Sequence, residues 1–122
     1  MDSDLPKIPL FSRGEATTHH SAGAVIFDIG SPSDCMYAIQ QGNVEVRVKG
    51  EPIERLQAGH VFGELGLIDD HPRSAQVIAT TDCELVRIDR KRFQFLIQQT
   101  PSFALQIMAV LAHRLRRGAP RV

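Results

Sequence analysis

The apolar positions of this chain change rhythm once. Over residues 24–88 they come in short runs separated by turn residues; beyond Asp89 they recur at spacings of three and four. Residues 24–29 form a compact run of branched and aromatic side chains, and Gly30-Ser31-Pro32-Ser33-Asp34 predicts a turn. Residues 35–40 predict a second strand, closed by the tight-turn signal Gln41-Gly42-Asn43. Val44, Val46 and Val48 then alternate with Glu45, Arg47 and Lys49, so this strand has one dry face and one wet face. Gly50-Glu51-Pro52 turns into a strand over 53–56, and residues 73–79 and 84–88 supply two more. Many short strands at this spacing predict a mainly β fold of the jelly-roll type.

The flanks are patterned differently. Leu5-Pro6-Lys7-Ile8-Pro9-Leu10-Phe11 is an apolar lead-in broken by prolines, expected to form a short turn or helical piece packed on the body. Asp89 is placed to cap a helix whose apolar positions are Phe93, Leu96 and Ile97. Thr100-Pro101 predicts a cap followed by proline at the first helical position, opening a second helix that runs to Arg117 and stops at Gly118 and Pro120. Its apolar residues, from Phe103 to Leu115, form a stripe wider than one packing face needs. Part of that stripe is left for a second copy of the chain, a partner or a ligand. A single domain is expected over residues 1–122: a β-roll with its lead-in over 5–88 and helices over 89–117.

Composition narrows the function. Fourteen basic residues balance fourteen acidic ones in 122, which argues against a general affinity for nucleic acid. No DNA-reading module fits after Arg117. The acidic start Met1-Asp2-Ser3-Asp4 does not resemble a signal peptide, and no apolar run approaches a membrane span; a cytoplasmic protein is expected. Cys35 and Cys83 have no metal-ligand spacing and read as reduced, packed thiols. His19 and His20 are adjacent, so on a strand they face opposite ways. His60 lies four residues before Glu64 but lacks a His-x-His partner. No metal site is expected, and the histidines read as solvated. Nucleophile-elbow, Walker and dinucleotide motifs are all missing, so neither catalysis nor a cofactor is expected.

The chemistry concentrates between Val61 and Ala75. Gly59 and Gly63 allow backbone conformations or close approaches that a Cβ would block. Residues 64–68 suit one or two helical turns, whose free N–H groups favour an anion. Arg73 offers a forked, permanent positive charge that matches two phosphate oxygens, and Ser74 adds a neutral donor. Ionised Glu64 only accepts hydrogen bonds, so beside a phosphate it must face a sugar hydroxyl. Together these groups describe a ribose-phosphate site.

The stretch Phe62-Gly63-Glu64-Leu65-Gly66-Leu67, followed by Pro72-Arg73-Ser74-Ala75, resembles the phosphate-binding cassette of the cyclic-nucleotide-binding domain family. Members include the bacterial catabolite activators and the regulatory subunits of cyclic-AMP-dependent protein kinase. The resemblance extends upstream through Ser21-Ala22-Gly23-Ala24-Val25-Ile26-Phe27 and residues 34–46, and downstream to Leu111-Ala112-His113-Arg114-Leu115, covering about residues 5–117. It implies a double-stranded β-helix, the β-roll of the family, followed by helices. It also implies that Arg73 pairs with the cyclic phosphate, that Ser74 donates to a phosphate oxygen, and that Glu64 accepts from the ribose 2′-hydroxyl. Gly63, Leu65 and Ala75 then bring backbone groups close to the ligand. Cyclic AMP is favoured over cyclic GMP, because Ser74 is not the threonine that accompanies cyclic-GMP preference.

The chain departs from the catabolite activators at one point. Their Thr-Ser pair, which contacts adenine, falls here on Gly118 and Ala119, neither of which has a hydroxyl. Arg116 or Arg117 are the residues left to stack on a purine. Two other readings compete with a cyclic-nucleotide sensor. One is a domain that keeps the fold but acts, without ligand, as an interaction or dimerisation module through its last helix, with a second copy or an effector as partner. The other is a cupin-like metalloenzyme. The basic residues Arg114, Arg116, Arg117 and Arg121 also read as a solvated helix end.

Overall fold

The computed structural model describes residues 4–118. Eight strands form two antiparallel four-stranded sheets. In chain order the strands are β1 (Thr18–His20), β2 (Val25–Phe27), β3 (Cys35–Gln41), β4 (Asn43–Val48), β5 (Glu51–Gln57), β6 (Val61–Phe62), β7 (Gln76–Ala79) and β8 (Cys83–Asp89). One sheet has the order β1-β8-β3-β6 and the other β2-β7-β4-β5. The chain crosses between sheets repeatedly, which makes the roll. Met36, Ala38, Val86 and Ile88 from the first sheet and Val44, Val46, Val77 and Ala79 from the second belong to one buried cluster. Burial of these branched side chains is the main force holding the sheets face to face.

Three helices complete the fold: α1 (Glu64–Asp69), α2 (Arg90–Gln99) and α3 (Pro101–Arg117). Asp89 caps α2 as expected; its Oδ1 accepts from the Arg92 backbone N–H at 2.8 Å. Thr100 differs. It occupies the N-cap of α3 but its side chain makes no capping bond, and Pro101 alone sets the first turn. The chain bends by 114° between α2 and α3. Phe103 of α3 fixes that bend, meeting Phe93 of α2 and Phe11 of the lead-in edge-on at 5.8 Å each. The lead-in is a 3-10 turn over Pro9–Phe11, with Leu5, Ile8 and Phe11 buried. No single helix among the described residues is long and apolar enough to cross a membrane.

Four details correct the sequence reading. β1 was not anticipated: its residues are polar and mostly exposed, and it is held by pairing with β8, by the bonds of Thr17 and His19 to Glu84, and by the His20 ring against Tyr37. The strand expected over 73–79 begins only at Gln76, because the Arg73 backbone is bonded to the turn at Gly30 and Ser31. Glu45, expected on the wet face of β4, is buried and clasped by Arg47 and Arg55. His60, expected to be solvated, is 1% exposed: its Nδ1 accepts from the Gln57 N–H at 3.0 Å, which leaves Nε2–H to donate to the Leu5 carbonyl at 3.1 Å.

Candidate functional site: a buried arginine and a buried glutamate around one glycine

β6 ends at Phe62, and Gly63 turns the chain into α1 with a φ of +84°. Only glycine takes this conformation without strain. Space gives a second reason for glycine here. A Cβ on Gly63 would stand 2.7 Å from Arg73 Nη1, where the two segments of the cassette meet.

Arg73 lies across that contact. Its Nη1 donates to the Gly63 carbonyl at 3.0 Å and its Nη2 to the Cys35 carbonyl at 2.5 Å. The guanidinium carbon sits 4.0 Å above the ring of Phe27, which itself packs on Tyr37 and Phe62. Arg73 is buried, and its Nε has no hydrogen-bond partner. Burial disfavours its charged form, while Cys35, Tyr37 and the more distant Asp34 carboxylate act in the opposite sense; an arginine nonetheless keeps its proton in proteins. Burial also drives the Cys35 thiol up and the Tyr37 hydroxyl up to about 12, so both stay neutral. Among the described residues no carboxylate forms an ion pair with Arg73; Asp69 and Asp70, its obvious surface partners, pair with His71 and Arg90. The result is a buried cation whose hydrogen-bond partners are neutral.

Glu64, the next residue after Gly63, is the complementary group. It is fully buried. Its Oε1 accepts from Arg114 Nη1 of α3 at 2.6 Å, and its Oε2 has no partner. Burial pushes the Glu64 carboxyl above the ordinary carboxylate range, and the Arg114 guanidinium pulls the other way. Arg114 also reaches Glu54 Oε1 of β5 at 3.4 Å. The expectation of a solvated basic tail therefore fails at Arg114, which is buried on the inner face of α3 with Phe103, Ile107 and Val110.

A cavity of about 120 Å³ is lined by Phe27, Ser33, Leu65, Gly66, Asp69, His71, Pro72, Arg73, Ser74 and Ala75. It gathers Leu65, Arg73, Ser74 and Ala75 from the expected set. Gly63 and Glu64 are not in its lining; Gly63 accepts from Arg73, and Glu64 is bonded instead to Arg114 of α3. Arg116 and Arg117 are not brought to the site. Both are exposed, and Arg117 pairs with Asp4 of the lead-in. Gly118 ends α3 in a left-handed conformation, and Ala119 and Arg121 lie outside the described residues. Sequence reasoning missed Arg114, Ser33 and Phe27. Arg114 alone left a signal: it continues the inner-face spacing of Phe103, Ile107 and Val110. Among the described residues no cluster of three or more His, Cys, Asp or Glu could hold a metal.

A family model described as cyclic nucleotide-binding domain matches residues 17–100. The chain belongs to this family. It is 38% identical over 80 residues to a cAMP-dependent protein kinase regulatory subunit of Aspergillus fumigatus, a match covering 64% of this chain and 19% of that protein. It is 40% identical over 99 residues to a cyclic nucleotide-gated potassium channel of Rhizobium etli, covering 81% of this chain and 27% of the channel. The crystal structure of the catabolite activator protein of Thermus thermophilus superposes with a TM-score of 0.76 at 30% identity, covering 84% of this chain and 52% of that one. The chain thus spans between a fifth and about half of these relatives' lengths.

Proposed function

We propose that this domain is a sensor that binds cyclic AMP in preference to cyclic GMP and passes the binding event to its last helix. The observation that carries the reading is a pair of incompletely satisfied buried groups next to Gly63: a cation at Arg73 hydrogen-bonded only to neutral groups, and a carboxylate oxygen of Glu64 with no donor. A cyclic nucleotide supplies both missing groups in one molecule, a phosphodiester anion and a ribose 2′-hydroxyl. In this reading Arg73 pairs with the phosphate, Ser74 and the backbone of Ala75 and Leu65 contact its oxygens, and Glu64 accepts from the sugar. A purine then faces α3, without Arg116 or Arg117, which stand exposed and away from the site. The kinase subunit named as cAMP-dependent supports adenine as the base.

The link to output is Arg114. It stands on α3 and bonds Glu64 Oε1, the carboxylate oxygen next to the one left for the ribose. A sugar hydroxyl arriving at Glu64 changes the Arg114 contact, so bound and free states differ in the interactions that hold α3. The outward residues of α3, Leu105, Met108 and Leu115, are exposed and spaced three and seven apart, which supports pairing with a second copy.

Calorimetric titration of the purified chain with cyclic AMP and with cyclic GMP tests the proposal. A specific ligand at a hundredfold excess over its Kd stabilises the folded state by about 2.7 kcal/mol, so the melting temperature must also rise. Absence of both heat and thermal shift at millimolar concentrations of either nucleotide would favour the ligand-free interaction module instead.

A further inference from the structure

We infer that Ser33 is a ligand-contacting residue whose hydroxyl donates to one oxygen of the cyclic phosphate. Ser33 lies in the turn before β3, outside the cassette. Its Oγ is buried and has no hydrogen-bond partner. It lines the same cavity as Arg73, Ser74 and Ala75. A buried hydroxyl left unpaired is unfavourable, and the cost disappears when an acceptor enters.

The surroundings hold the side chain in place. A Cβ on Gly66 would stand 2.2 Å from Ser33 Cβ and 2.3 Å from its Oγ, so α1 has room for Ser33 only because position 66 is glycine. The Ser33 carbonyl accepts from Arg90 Nη2 at 3.4 Å, while Arg90 Nη1 donates to the Leu67 carbonyl at 2.8 Å. Arg90 thereby ties the Ser33 turn to α1. The acidic group in the cavity wall, Asp69, is occupied: its carboxylate accepts from the His71 backbone N–H at 3.2 Å and faces the His71 ring. The wall therefore presents Arg73 as charge and Ser33 as an unused donor. Arg73 attracts either phosphate oxygen; a hydroxyl has one proton and favours one of them.

The inference rests on the proposed cyclic-nucleotide site, and the experiment separates the two. The full chain and its Ser33→Ala variant are titrated with cyclic AMP and with its Sp and Rp phosphorothioate diastereomers, which replace one exocyclic oxygen each, and both proteins are melted without ligand. The expected result has three parts. Cyclic-AMP affinity falls about tenfold, as for loss of one hydrogen bond to a charged acceptor. The ratio of Sp to Rp affinities changes several-fold. The ligand-free melting temperature stays level or rises, because an unpaired buried hydroxyl has been removed. If Ser33 is only a small side chain beneath Gly66, alanine replaces it without loss; unchanged affinity and an unchanged diastereomer ratio overturn the inference while leaving the site intact. A wild-type chain that takes up no cyclic nucleotide overturns the underlying reading and this inference with it.

Discussion

Arg114 of α3 donates to Oε1 of Glu64 at 2.6 Å, and neither side chain reaches solvent. This contact joins the last helix to the cassette. Breaking a buried pair from one side leaves the other charge stranded, which costs about 3–5 kcal/mol. Arg114→Ala is therefore expected to lower the melting temperature sharply and to loosen α3. Protection of α3 amides from hydrogen exchange should fall with it. The Glu64→Gln, Arg114→Met double variant removes both charges and should recover most of the stability while holding the ribose more weakly, since its acceptor is no longer charged.

Arg73→Ala is expected to weaken cyclic-nucleotide binding by about 2–5 kcal/mol, roughly 30-fold to several thousand-fold. It also strips the donors from the Gly63 and Cys35 carbonyls, so some thermal stability goes too. Arg73→Lys keeps the charge but cannot span both carbonyls. Titration should place the lysine variant between wild type and alanine. Equal affinity of all three proteins would remove Arg73 from the site.

Gly63→Ala is expected to be costly for two separable reasons. Its backbone would carry a side chain at a φ of +84°, a strain of about 1–3 kcal/mol. Its Cβ would displace the Arg73 guanidinium from 2.7 Å away. Melting reads the first effect and titration the second; affinity should fall by about tenfold or more.

Acid should destabilise the fold through His60. Burial holds its imidazole below the ordinary value, with Lys7 and Arg114 acting in the same direction and Glu54 against it. The unfolded chain then takes up the proton first. The stabilisation is present above the unfolded histidine value, about 6.5, and is lost as pH falls below it toward the folded value. Wild type should lose more melting temperature between pH 7.5 and about pH 5 than His60→Gln does. The exposed His19–Glu84 pair shifts His19 the opposite way, but it is common to both proteins and cancels in the comparison.

Much of this could be read from the residues in order. The period-two run at Val44, Val46 and Val48 marked a strand because its alternation is local, and Asp89 marked a helix start because its cap is made three residues away. The cassette was legible because Gly63, Glu64 and Arg73 each restrict what a short segment does. β1 was not, since three polar residues carry no burial pattern of their own.

What the chain order determined is the type of each group: a turn that only glycine makes at position 63, a fixed cation at 73, an acceptor at 64, an apolar helix face after Pro101. What only the folded molecule decided is which of these groups are left without a partner. Arg114 lies fifty residues from Glu64 in sequence, and Ser33 reaches the cavity only because the turn before β3 packs on α1 at Gly66. Charge neutralisation and burial depend on every segment that closes around a side chain, and no local pattern of residues carries that information.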